Sequence, residues 1–127
     1  MRLFKPLQQA VTSVAYKKTT GLFGLAVHPS PKPVLCSLYS RIMNSLKQLP
    51  DSSTYKHSTH NLVKERLEIV NSTDDISSIE QKINAGQIEE LIYQAEMELK
   101  LIPNMDKWRA YEPLEETPLP GQWRYFK

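Results

Sequence analysis

The sequence predicts an all-α fold: a small antiparallel three-helix bundle with an extended N-terminal strap and a Pro/aromatic-rich C-terminal arm. Three observations lead there. Between residues 34 and 102 apolar residues recur at i, i+3 and i+4, the stripe of amphipathic helices. No segment alternates apolar and polar residues in the convincing manner of a strand. Prolines cluster on both sides of that region, where they exclude long helices. The chain therefore divides into a basic extension (1–16), an extended segment (17–33), the helical region (34–102) and an extended arm (103–127).

The elements follow in order. "HPSPKP" at 28–33 reads as an extended connector because of Pro29, Pro31 and Pro33. From Val34 onward Leu35, Leu38, Tyr39, Ile42, Leu46 and Leu49 share one helix face, and Pro50 ends the helix. "DSS" at 51–53 supplies N-cap side chains for a second helix over 54–70. Its stripe is Tyr55, Thr59, Leu62, Val63, Ile69 and Val70, with Leu67 on the margin. "NSTDD" at 71–75 is a turn that puts acids at the next helix start.

Ile76, Ile79 and Ile83 then share a face, as do Ile88, Leu91, Ile92, Ala95, Leu99 and Ile102. Run as one straight helix, Ile88 would point about 120° away from Ile76. A short helix, a break at Asn84-Ala85-Gly86, and a longer helix over 87–102 resolve the mismatch. Glu89 and Glu90 lie in its first turn and Lys100 in its last, and Pro103 is expected to stop it.

Charge is unevenly spread. Residues 1–50 hold seven of the 16 Lys/Arg and none of the 14 Asp/Glu, which leaves a net charge of −5 for the remainder. An acid-free basic start with scattered Ser, Thr and Gln has the composition of a mitochondrial import signal. Leu3, Leu7, Ala10 and Val14 would form one side of a short amphipathic helix there. A single cysteine, Cys36, makes no internal disulfide. No stretch approaches the roughly 20 consecutive apolar residues of a membrane-spanning helix.

"KKTTGLFGLAV" at 17–27 invites a phosphate-loop reading, but a P-loop places its glycines before the Lys-Ser/Thr pair and follows a strand. The order here is reversed. G-x-x-G without a βαβ unit carries no dinucleotide signal either. His57 and His60 are spaced for one helix face but lack a third metal ligand, so they read as solvated. Cys36 adjoins an apolar stripe and reads as a semi-buried, inert thiol. The pairs Glu89/Glu90, Glu96/Glu98 and Glu115/Glu116 read as solvated surface, because acid–base work needs a desolvated cleft. Asn71-Ser72-Thr73 reads as a turn. The sequence thus assigns no catalytic residue, cofactor or metal site. What it leaves unexplained is aromatic: Trp108, Tyr111, Trp123, Tyr125 and Phe126 crowd a segment that Pro113, Pro118, Pro120 and Gly121 keep extended. Disordered tails are poor in such residues, so these are expected to wrap partly onto the bundle and partly onto a partner.

"KKTTGLFGLAV", "AGQIEELIYQAEMEL" (85–99), "WRAYEPL" (108–114) and "QW" (122–123), in this order, resemble the alpha-subcomplex subunit 5 family of mitochondrial NADH:ubiquinone oxidoreductase, respiratory complex I. The likeness runs from Lys17 to Tyr125. It departs at Tyr111, where a second tryptophan is expected, and residues 1–16 are an addition. The resemblance implies a non-catalytic accessory subunit on the matrix side of the peripheral arm. Its partners would be a cluster-free core subunit and neighbouring accessory subunits. It also implies a role in assembly and stability, and attachment to the mitochondrial inner membrane only through the complex. It makes Lys17, Lys18, Gly21, Leu22, Phe23, Gly24 and Leu25 one docking segment, with Trp108, Tyr111, Pro113, Leu114 and Trp123 a second. In the first, glycines would let the backbone approach a partner and the lysines would form a basic rim. The alternative is a small helical nucleic-acid-binding module using the basic N-terminal half; its cations are thinly spread, with no basic helix face.

Overall fold

The computed structural model describes residues 17–126. The basic extension, with its import-signal reading and its amphipathic stripe, lies outside them. The described chain forms four helices: α1 (Pro31–Leu46), α2 (Thr54–Ser72), α3 (Ile76–Ile83) and α4 (Ile88–Lys107). Among the described residues there is no strand. The all-α expectation holds.

Both ends of the helical region extend further than proline rules suggest. α1 starts inside the proline cluster, with Pro31 in its first turn. The N–H groups of a first helical turn have no intrahelical acceptor, so proline loses nothing there, and its fixed φ suits the helix. At the other end α4 runs through Pro103 to Lys107. Pro103 is exposed. Proline inside a helix removes one i to i−4 hydrogen bond, here the one to Leu99, and the helix continues for a further turn beyond it. α1 in turn ends before Pro50: Lys47 to Leu49 form a tighter turn through N–H bonds to Asn44, Ser45 and Leu46 carbonyls at 3.1–3.3 Å. That turn swings Leu49 into the core.

Side chains at the helix starts behave as their types dictate. Ser53 caps α2, its Oγ accepting the Lys56 N–H at 3.2 Å. Asp75 caps α3, accepting the Ser78 N–H at 2.9 Å and its hydroxyl at 2.7 Å. These bonds hold the exposed Asp75 carboxyl below the usual carboxylate range. α3 closes at Asn84 in the left-handed region (φ 52°), and Gly86 follows at φ 97°. The break between the two isoleucine stripes falls where their mismatch places it.

α1 is the central element, packed against α4 along most of its length and against α2 on another face. Its Leu35, Leu38, Tyr39, Ile42 and Leu46 are buried against Val63 and Val70 of α2 and Ile88, Leu91, Ile92, Ala95 and Ile102 of α4. α3 contributes Ile79. Each fully buried Leu or Ile stabilises by about 1.5–3 kcal/mol. α2 buries less than its stripe suggests: Leu62 stays 49% exposed and Ile69 only half-buried.

Candidate docking surface

The residues expected to dock occupy both ends of α4. Around its N-terminus lies the segment 17–28. Thr20 is buried, and its carbonyl accepts a hydrogen bond from Gln87 Nε2 at 2.6 Å. Its hydroxyl donates to the Leu25 carbonyl at 2.5 Å and accepts the Leu22 N–H at 3.2 Å, closing a small loop. Gly21 (φ 70°) and Gly24 (φ 75°) supply the left-handed backbone which that loop needs. A Cβ on either would meet nothing within 4 Å, so within this chain the glycines serve conformation and not close approach.

Lys17 does not form a rim. Its ammonium turns inward, donating to Glu89 Oε2 at 2.5 Å and Gln87 Oε1 at 2.8 Å, with Glu80 Oε1 at 3.6 Å. Glu89 is only 3% exposed, which corrects the reading of this glutamate as solvated. Its second oxygen accepts the His28 N–H at 3.3 Å, so one carboxylate grips the segment at both ends. Glu90 is also occupied: it accepts the Gln87 N–H at 2.7 Å, while Glu80 accepts the Ile88 N–H at 2.8 Å. Three carboxylates therefore surround the positive end of α4, and Lys17 offsets part of their mutual repulsion. Sequence reasoning missed Glu89 because it lies about 100° round the helix from Ile88, at the margin of the apolar face. Only the segment laid over it takes it out of water.

Docked this way, the segment turns its apolar tip outward. Phe23 is fully exposed, Leu22 is 45% exposed and Leu25 half-buried. Lys18 faces solvent.

At the C-terminal end α4 closes on a Schellman arrangement. Arg109 sits at φ 54°, its N–H bonding the Asp106 carbonyl at 3.1 Å, and Ala110 N–H reaches the Met105 carbonyl at 3.5 Å. Arg109 also pairs with Glu112. Beyond it the arm leaves the helices. Trp108 is 62% exposed, and Leu114, Leu119, Trp123, Tyr125 and Phe126 are each more exposed still. Pro113 is exposed, and Tyr111 alone of the arm's expected contacts is half-buried. Among the arm's aromatic residues, partial cover is confined to Tyr111, and the others stay exposed.

The remaining candidates lie on α1 and α2. His57 Nε2 lies 2.6 Å from the Asp51 carbonyl, and no cluster of His, Cys, Asp and Glu able to hold a metal occurs among the described residues. Cys36 is half-buried, its thiol donating to Asn71 Oδ1 at 3.4 Å. Burial pushes that thiol's pKa up, against the pull of Lys32. No helix of the described residues is long and apolar enough to cross a membrane.

Fold and surface together define a small all-α protein that displays large apolar side chains at both ends of its longest helix. A family model described as "ETC complex I subunit conserved region" matches residues 24–90. The chain is 41% identical over 109 residues to NADH dehydrogenase (ubiquinone) 1 alpha subcomplex subunit 5 of Bos taurus, covering 86% of this chain and 94% of that one. It is 43% identical over 110 residues to a probable subunit 5 of Caenorhabditis elegans, covering 87% and 73%. An alpha subcomplex subunit of the same enzyme from Candida albicans is 43% identical over 108 residues, covering 84% and 78%. The chain belongs to the alpha subcomplex subunit 5 family of NADH dehydrogenase (ubiquinone).

Proposed function

We propose that the protein is a non-catalytic accessory subunit of mitochondrial respiratory complex I, seated on the matrix side of the peripheral arm and supporting its assembly and stability. In this reading α1, α2 and α4 are the working bundle, residues 17–27 are an N-terminal strap, and the chain beyond Lys107 is a docking arm. Its partners are subunits of the peripheral arm, chiefly a cluster-free core subunit, and it meets the inner membrane only through the complex. Family membership supports the complex. The observation that carries the docking role is the run of exposed side chains from Trp108 to Phe126. Isolated domains seldom display so much contiguous aromatic surface, and aromatic anchors dominate interface energies. The nucleic-acid alternative is disfavoured because Lys17 is bound internally and Lys32 pairs with Asp74 at 2.8 Å, which thins an already sparse set of cations.

Tagged chain expressed in mitochondria and followed on native gels tests the reading. The unsubstituted chain is expected to co-migrate with the complex. Trp108→Ala and Trp123→Ala are each expected to lower the incorporated fraction severalfold, as loss of a buried anchor worth about 2 kcal/mol would. Equal incorporation of both variants would remove the docking role of the arm.

A further inference from the structure

A groove of about 380 Å³ opens between α1, α2 and α4, away from both ends of α4. Ile42, Leu62, Val63 and Tyr93 give it apolar walls. Leu62 and Tyr93 stand at its mouth, 49% and 57% exposed. Its polar equipment is incomplete in one particular way. Tyr39, 2% exposed, lines the groove with a hydroxyl that has no hydrogen-bond partner. The Arg66 guanidinium lies close enough to influence that phenol, and no carboxylate pairs with it among the described residues. The other charged group of the lining, Glu98, accepts the Tyr55 hydroxyl and keeps its negative charge.

Arg66 only donates, its approach to Tyr39 is toward the phenol oxygen, and the Tyr39 hydroxyl keeps a proton to give, so the pair presents donors with no further acceptor. A carboxylate supplies two oxygens and fits the planar guanidinium with charge-assisted bonds. We infer that this groove is a further docking site, taking a partner polypeptide segment that presents a bulky apolar side chain with an Asp or Glu close beside it. The inference rests on the accessory-subunit reading for the existence of a partner. The groove's half-open form between helices suits a chain segment. Its apolar walls take the bulky side chain, and Arg66 with Tyr39 select the acid. Leu62 and Tyr93 at the rim exclude water once the segment is seated.

The test uses the full tagged chain in mitochondria, with the photo-crosslinking residue p-benzoylphenylalanine in place of Tyr93. Irradiation of the isolated complex is expected to join it to a peptide holding Phe, Trp, Leu, Ile or Met within four residues of Asp or Glu. Arg66→Gln and Tyr39→Phe are each expected to lower incorporation by about tenfold or more, the effect of losing a bond to a charged group. The purified full chain carrying Tyr39→Phe is expected to melt no lower than the parent, because an unpaired hydroxyl has been removed. That split between assembly and stability would not arise from a structural role. A crosslink to lipid, to nothing, or to a peptide without an acid overturns the proposal, as does normal incorporation of both variants. If the parent chain itself fails to enter the complex, the subunit reading falls and takes this one with it. If the parent enters and only the groove variants behave normally, the groove proposal falls alone.

Discussion

The strap and the arm carry similar apolar content, yet only one is fastened. Residues 17–28 are sewn to α4 through Lys17, Thr20 and His28, whereas the described residues beyond Ala110 make no hydrogen bond to the helices. The aromatic residues do not account for the difference, because Phe23 is as bare as Phe126. Polar groups do. A buried carboxylate needs a cation and donors, and only the strap provides them. In this molecule hydrogen bonding decides which extended segment is part of the fold, and apolar surface decides what is left to be covered.

The largest break in that contrast is expected from Lys17→Ala. It strips a nearly buried carboxylate of its cation and should cost about 2–4 kcal/mol in chemical denaturation. Combining Lys17→Met with Glu89→Gln should recover much of the loss, since no lone buried charge is left. If Lys17→Ala is neutral, the strap is not anchored by this pair. Gly86→Ala attacks the seat of the strap. A Cβ there would run into the Glu90 carboxylate that caps Gln87, at a φ of 97° that side chains avoid. A loss of about 1–3 kcal/mol is expected.

Alkaline titration probes the helical region between the two segments. Burial, then the Glu98 carboxylate, raises the Tyr55 phenol well above its ordinary value, and burial raises Tyr39. A raised acid contributes stability that is whole below the unfolded pKa near 10 and is lost above it, as the unfolded chain sheds protons the folded one keeps. The melting temperature should therefore fall from about pH 10 upward, and less steeply in Tyr55→Phe. The smallest effect belongs to the arm. Trp123→Ala in the purified chain should change stability by no more than about 0.5 kcal/mol, as exposed positions do. A loss several times larger would mean that the arm is packed after all.

Much of this was legible in the residues. The apolar stripes of α1, α3 and α4, the Ser53 and Asp75 caps and the break at Asn84 follow from periodicity and turn chemistry, which are local. The proline errors at Pro31 and Pro103 are local too: the missing donor removes no bond in a first helical turn and only one further in. Glu89 was illegible for a different reason. Its partner stands 72 positions away in sequence, and nothing around it announces a lysine from elsewhere. The two extended segments were visible as composition, but which one is tied down was not, since that depends on the same distant pairing.

α4 has one more consequence. As an unbroken helix of 20 residues it spans about 30 Å, with the seat of the strap at one end and the root of the arm at the other. In the proposed docking role, a rod of fixed length turns two modest grips into a gauge. A surface whose two footholds match that span is held at both, and when one lets go the other keeps it within reach to close again. A surface with a different spacing gets only one grip at a time, however good that single contact is.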